Sequence, residues 1–287
     1  MQQTVGMASY FLNYNGKFYK DGELFISPNN RSFRYGDGCF ETMKMINGKL
    51  VLRDLHIERL FSSLETLQFD LPKLFTPATI EKQVAELAEK NKHTSLGRVR
   101  LMVFRGDGGL YDVDNRPNYL IQTWEMPATN NMLNENGLDI GIYPDARKGC
   151  DMFSPIKNNN YLCYAMAALW AKKHNLNDAL VLNAFGNVAD ASIANVFIVQ
   201  DGIVKTPALT EGCVSGVARR YLLQCLRKEG MPVQETNITT EDVLQAQEVF
   251  LTNAAYGMRW VKSCGNSNYT LQAVPMLFKK FIEPLYY

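Results

Sequence analysis

Lys157 stands in the polar run Phe-Ser-Pro-Ile-Lys-Asn-Asn-Asn-Tyr (153–161), just ahead of an apolar helical stretch. There its amine could point into a cleft, and an environment that lowers its basicity makes a lysine a covalent nucleophile towards carbonyl carbon. The ordinary alternative is a solvated lysine, because lysines are seldom buried. A second feature is the run 206–219, Thr-Pro-Ala-Leu-Thr-Glu-Gly-Cys-Val-Ser-Gly-Val-Ala-Arg. A glycine-containing loop here enters a helix near Val217, with Ser215 available as a cap. The free N–H groups of a helix start and its dipole suit an anion, although a simple capped helix is commoner. Third is Asp190 in Asn-Val-Ala-Asp-Ala-Ser-Ile-Ala-Asn-Val-Phe (187–197), an acid among small and apolar residues. Buried, it needs a partner to stay charged; otherwise it is a turn aspartate. The run 105–109, Arg-Gly-Asp-Gly-Gly, is glycine-rich but no helix clearly follows, so it is neither a Walker loop nor a dinucleotide fingerprint.

These residues need elements to hold them. The first forty residues read as short strands joined by tight turns at Asn15-Gly16 and Asp21-Gly22. A further hairpin follows at Asn47-Gly48. From His56 the period becomes helical, with Ile57, Leu60, Phe61, Leu64 and Leu67 on one face, and 78–90 continues in helical fashion. Residues 98–104 alternate as a half-buried strand, with 119–124 as the partner. The Pro- and Asn-rich stretch 125–137 is the linker candidate, dividing an N-terminal α+β domain (1–124) from a C-terminal α/β domain (138–287). The latter reads as a strand at 138–143, a loop to Pro155, a helix over 162–174, several strands with a hairpin at Asp201-Gly202, and a helix over 217–228.

Composition narrows the classes. The 287 residues are 46% hydrophobic and 21% charged, which excludes a disordered chain. Thirty basic residues against 29 acidic ones give a formal charge of +1, arguing against a broad nucleic-acid or membrane footprint. No window approaches ~20 uninterrupted apolar residues, and the first sixteen residues lack the pattern of an export signal. The cysteines Cys39, Cys150, Cys163, Cys213, Cys225 and Cys264 are scattered without C-x-x-C, and the three histidines add no ligand pair. No metal site is expected, and a reducing cytoplasm suits such cysteines.

In this order the motifs resemble the class IV aminotransferases, the fold-type IV pyridoxal-phosphate (PLP) enzymes. The likeness runs from 31–43 (Arg-Ser-Phe-Arg-Tyr-Gly-Asp-Gly-Cys-Phe-Glu-Thr-Met) to 248–261 (Glu-Val-Phe-Leu-Thr-Asn-Ala-Ala-Tyr-Gly-Met-Arg-Trp-Val). It implies two mixed domains with the cofactor in the interdomain cleft, and a homodimer whose neighbour completes the site. By resemblance, His56–Leu60 matches H-x-x-R-L, making Arg59 a phosphate ligand, and Lys157 the lysine that binds the cofactor's aldehyde. Asp190 falls where the family has the glutamate that faces the ring nitrogen, and Asn195 is the asparagine of the same motif. Gly216, Val217 and Ala218 occupy the phosphate loop. Asn253 and Ala254 match the Asn-Ala pair of deoxychorismate lyases, Ala254 replacing the threonine of many aminotransferases. Tyr161 is a candidate partner of the cofactor's phenolic oxygen, and Tyr35, Glu41 and Arg105 are candidates for the substrate.

Two activities are implied. One is transfer of an amino group between an amino acid and a 2-oxo acid. The other is elimination of pyruvate from 4-amino-4-deoxychorismate, which yields 4-aminobenzoate for folate synthesis. Substrates are small molecules in either case.

Overall fold

The computed structural model describes residues 10–287; residues 1–9, which begin the stretch read for an export signal, lie outside the described residues. The chain divides into two compact units. The first runs to Ala128 and includes Asn158–Asn160, and the second comprises Thr129–Lys157 and Tyr161–Tyr287. The division falls inside 125–137.

The first unit opens with β1 (Phe11–Tyr14) and β2 (Lys17–Lys20), joined as expected through Asn15-Gly16. Both turn residues have positive φ, 50° and 84°, the conformation this dipeptide tolerates. Asp21-Gly22 launches no further strand. The short helix α1 (Arg31–Tyr35) follows instead, because the Asn30 side chain accepts the N–H groups of Ser32 and Phe33 and so caps it. Gly36 ends the helix in the left-handed region at φ 69°.

Next come β3 (Gly38–Ile46), β4 (Lys49–Leu50), α2 (Arg53–Thr66), α3 (Pro77–Lys90), β5 (Leu96–Arg105) and β6 (Pro117–Glu125). Helix α2 starts three residues earlier than its apolar stripe, after Leu52 turns at φ 55°. The strands form one antiparallel sheet in the order β2-β1-β6-β5-β3-β4. Leu60 and Leu64 of α2 and Ile80, Val84 and Leu87 of α3 are buried, as are Val99, Leu101 and Val103 of β5. Helical period 3.6 and strand period 2 thus each bury one face.

In the second unit β7 (Leu138–Lys148) is longer than expected. The loop predicted from 144 is strand as far as Lys148, because β7 shifts register after Ile142 and rejoins its neighbour with Arg147 opposite Leu182 and Lys148 opposite Asn183. Such an irregularity re-aims side chains, and its polar sequence hid the strand. Then follow α4 (Leu162–Lys173), β8 (Asp178–Asn183), β9 (Val188–Ala191), β10 (Asn195–Gln200), β11 (Ile203–Pro207) and α5 (Val217–Lys228). The remainder is β12 (Val233–Thr236), α6 (Thr240–Leu244), β13 (Glu248–Asn253), β14 (Gly257–Cys264), β15 (Ser267–Asn268) and α7 (Ala273–Leu277).

The nine strands make a mixed sheet ordered β12-β11-β10-β13-β14-β7-β8-β9, with β15 on β14. The β7–β8, β7–β14 and β11–β12 pairs are parallel. Strands β8 and β9 are buried along their whole length, so Asp190 is a strand residue rather than a turn aspartate. Tyr143, Tyr164, Ala167 and Val181 are among the residues that form the core beside α4. Among the described residues no helix is long and apolar enough to cross a membrane.

Candidate active site

The second unit brings Lys157, Tyr161, Asp190, Asn195 and Gly216 into one connected network. Lys157 Nζ donates to the Tyr161 hydroxyl at 3.3 Å. Tyr161 lies at the N-terminus of α4, and its ring stacks on Tyr164 with centroids 4.4 Å apart. The spacing from 161 to 164 is close to one helical turn, which places both rings on one face. The Tyr161 hydroxyl reaches the Ser192 carbonyl at 3.5 Å. The Ser192 backbone is itself held, because buried Asp178 accepts its N–H at 3.0 Å.

Asp190, only 2% exposed, accepts four hydrogen bonds. The Tyr164 hydroxyl donates to Oδ2 at 2.6 Å, the Val214 N–H at 2.9 Å and Lys148 Nζ at 3.2 Å. Asn195 Nδ2 donates to Oδ1 at 2.8 Å and also to the Val214 carbonyl. Burial, with Asp190 alongside, pushes the Tyr164 hydroxyl well above its ordinary range, so it remains a donor. A carboxylate so deep is sustained by these donors and by the Lys148 ion pair.

Neither Lys148 nor Tyr164 is marked by a motif. Lys148 falls in a polar stretch that reads as loop. Tyr164 carries a hydroxyl into the buried face of an apolar helix, where it must find a partner; that was the one available signal.

The same network reaches the start of α5. The N-cap is Gly216, which has no side chain to cap the helix, and Ser215, expected as the cap, stands one residue before it. The first N–H groups of an α-helix have no partner within it, so Val217 and Ala218 present donors to an anion. Gly216 is required by close packing, since a Cβ there would meet Asn195 Oδ1 at 1.8 Å. Gly216→Ala is therefore expected to drive the Asn195 amide off Asp190, at roughly 1–3 kcal/mol of overpacking. Urea denaturation of the apoprotein measures it, and a parent-like midpoint would refute the contact.

Asn253 ends β13, and its Oδ1 accepts the N–H groups of Ala255 and Tyr256 while Nδ2 donates to the Ile193 carbonyl. Its side chain thus shapes the turn that carries Ala254, whereas the sequence reading gave it to the cofactor.

The remaining candidates lie in the first unit. Arg59 grips Glu41 through Nε at 2.7 Å and Nη2 at 2.5 Å, and His56 Nδ1 lies 2.7 Å from Glu41 Oε2. Burial raises the Glu41 pKa, but the Arg59 charge and the His56 contact outweigh it and lower it to about 2. Glu41 is consequently a carboxylate and His56 Nδ1 carries the donated proton. This buried acid, with Arg59 and His56 on it, is an anchor rather than the substrate contact expected.

The sign of its pH effect follows. A depressed folded-state pKa stabilises above the ordinary carboxylate value and is lost as pH falls through the folded value. From its ordinary value of 4.5 to about 2, that is on the order of 3 kcal/mol. Glu41→Gln should lower stability at neutral pH and flatten its acid dependence between about pH 4.5 and 2. Denaturation midpoints measured across that window check this.

Arg105 is likewise buried, and donates to Asp37, Asn115 and the carbonyls of Leu67 and Gln68. It ties loops of its own unit together, so the expected substrate role does not match its geometry. Tyr35 ends α1, 37% exposed, with the Arg34 guanidinium 5.1 Å from its ring centre.

The donor set of the second unit fits a phosphorylated pyridine aldehyde. It offers an amine, a buried acid in the same network, and a helix start whose N-cap is a glycine.

The comparisons with known proteins agree. The profile of the family described as Amino-transferase class IV matches residues 38–264. An aminodeoxychorismate lyase of Vibrio harveyi is 33% identical over 233 residues, 80% of this chain and 83% of that protein. A D-alanine aminotransferase of Bacillus licheniformis is 27% identical over 84% of this chain and 83% of its own length. The branched-chain aminotransferase of Thermoproteus uzoniensis, solved with norvaline, superposes with a TM-score of 0.86 at 24% identity, covering 98% of this chain and 95% of that one. The two-sheet mixed fold is thus the fold-type IV architecture. The chain belongs to the class IV aminotransferases, and its cofactor is pyridoxal phosphate.

Proposed function

We propose that the protein transfers an amino group between a small amino acid and a 2-oxo acid. The observation that carries this is the chain of contacts that runs from the Lys157 amine through the Tyr161 hydroxyl and the stacked Tyr164 ring to the buried Asp190 carboxylate. When bound, pyridoxal phosphate supplies a protonated pyridine ring that accepts electron density from the bonds at the substrate's Cα. The protein supplies the rest. Lys157 would hold the cofactor's aldehyde carbon, and its amine would take up the proton lost from the substrate's Cα. Tyr161 orients that amine by its hydrogen bond. Asp190 holds the proton on the ring nitrogen. Val217, Ala218 and Ala254 donate backbone N–H groups to the phosphate, and the α5 dipole adds about 0.3–1 kcal/mol. Arg59, carried over from the H-x-x-R-L resemblance, is a further phosphate ligand.

Release of pyruvate and 4-aminobenzoate from 4-amino-4-deoxychorismate is the second reading, and it would place the protein in folate synthesis. It is favoured by the Asn253-Ala254 turn and by the Vibrio harveyi relative. One preparation decides between them. Amino donors with 2-oxoglutarate or pyruvate test transfer, and enzymatically made aminodeoxychorismate tests 4-aminobenzoate release. Release without transfer would reverse the assignment.

We also propose a cytoplasmic homodimer. Leu162, Met166 and Leu169 form an exposed apolar stripe at helical spacing on α4, which a second copy would cover. The six cysteines are all free thiols, which suits a reducing compartment.

A further inference from the structure

The acid that replaces the family's glutamate is shorter, and this chain surrounds it with two side chains that the sequence reading did not single out. Lys148 arrives from the end of β7, where the strand rejoins β8 after its register shift. Its Nζ bridges Asp190 Oδ2 at 3.2 Å and the Ser154 carbonyl at 3.1 Å, and lies 5.1 Å from the Tyr164 ring centre. Tyr164 arrives from α4 and donates to the same oxygen. With the Val214 N–H, three donors converge on Oδ2, whereas among the described residues Oδ1 receives Asn195 alone. A carboxylate has about four lone-pair sites, two per oxygen. Oδ2 is therefore saturated, and the capacity left for a ligand lies on Oδ1.

We propose that Lys148 is a positioning residue for the cofactor's ring nitrogen. With Tyr164 it turns Asp190 so that Oδ1 alone is presented, and its positive charge weakens the hold of that carboxylate on the ring proton. This rests on reading Asp190 as the acid for the ring nitrogen. A cation beside an anion disfavours a second cation on the same anion. The ring nitrogen here consequently gives up its proton at lower pH than it would beside an unpaired acid. The neighbouring thiols do not interfere: burial pushes up Cys150 and Cys163, on which the Lys148 charge also acts, and Cys213 as well. Burial, then the Asp190 charge, pushes the Cys213 thiol up to about 12, leaving it neutral. The Tyr164 hydroxyl, held protonated, contributes a hydrogen bond and no charge.

The test loads the protein with pyridoxal phosphate labelled at the ring nitrogen with the heavy isotope, and follows that nitrogen by NMR against pH. Lys148→Met removes the charge and should move the protonation midpoint up by about one to two pH units. Lys148→Gln keeps a donor without the charge, should move it likewise, and serves if the methionine variant does not fold. Lys148→Arg should restore the parent midpoint. Asp190→Asn is the control, and should move the midpoint down. If Asp190→Asn lowers the midpoint while the neutral Lys148 variants leave it in place, Lys148 is merely structural and the inference is wrong. If Asp190→Asn also leaves it in place, the reading of Asp190 fails and takes the inference with it. Thermal melting of the apoproteins gives the structural effect separately, since a merely structural lysine would change the melt and not the ring nitrogen.

Discussion

Lys157→Ala is expected to abolish turnover, by about a thousandfold or more, and to leave a cofactor that borohydride cannot fix to the chain. The residue is only half-buried, in the loop before α4, and its amine donates to the Tyr161 hydroxyl. Alanine leaves the strands and the Asp190 network in place, so the loss should be chemical. Denaturation of the apoprotein should stay within about 1 kcal/mol of the parent, as for a substitution outside the core. The same experiment on the parent separates the two lysines of the site. Reduction followed by peptide mapping should place the label on Lys157, and Lys148, engaged by Asp190 and the Ser154 carbonyl, should be unlabelled. A label on Lys148 would reverse the assignment.

Asp190→Asn should produce the second large effect, in two measurements at once. Turnover should fall by about a hundredfold or more, because a neutral amide no longer holds the ring-nitrogen proton. Stability should fall too, by roughly 3 kcal/mol, because Lys148 then keeps its charge at a site built for an ion pair. An asparagine also brings an amide donor to a place where Tyr164, Val214, Lys148 and Asn195 already donate. At least one of those bonds is lost however the amide is turned, and three donors face the NH2 group if it takes the Oδ2 position. Phosphate anchoring through the start of α5 is a separate contact, so cofactor retention should fall less than turnover. A variant with parent-like rate and stability would show that Asp190 serves neither purpose.

Much of this protein is legible in its sequence. Helix α5 was expected over 217–228 and is found at Val217–Lys228, because its apolar positions recur at helical spacing and its entry follows a glycine. The pairing of 98–104 with 119–124 survives as β5 on β6, because alternation with one buried face fixes both register and partner. Lys157, Tyr161, Asp190 and Gly216 were singled out from local composition and from motif order. Local composition left ordinary alternatives open for Lys157, Asp190 and the loop at Gly216, and the order of the motifs selected among them; the fold then joins these residues through Tyr164 and Asn195.

Three other matters were decided only by tertiary contacts. Helix α1 formed where a strand was expected: its Asn30 cap is a local signal too small against the surrounding aromatics. The contacts that hold its first residue, Arg31 N–H on the Gly106 carbonyl and the Arg31 guanidinium on the Asp112 carbonyl, come from distant loops. Glu41 and Arg105 read as substrate contacts, yet folding turned each onto partners distant in sequence, Arg59 and Asp37 among them. Above all, the partners of Asp190 come from β7, α4, β10 and the loop before α5, which are 42, 26, 5 and 24 residues away. Composition and spacing identify an acid that needs a partner; which side chains supply it depends on a register shift in β7 and on the face that α4 turns inward. Those are properties of packing, set by the requirement that every buried polar group be satisfied, and no local window of the sequence contains them.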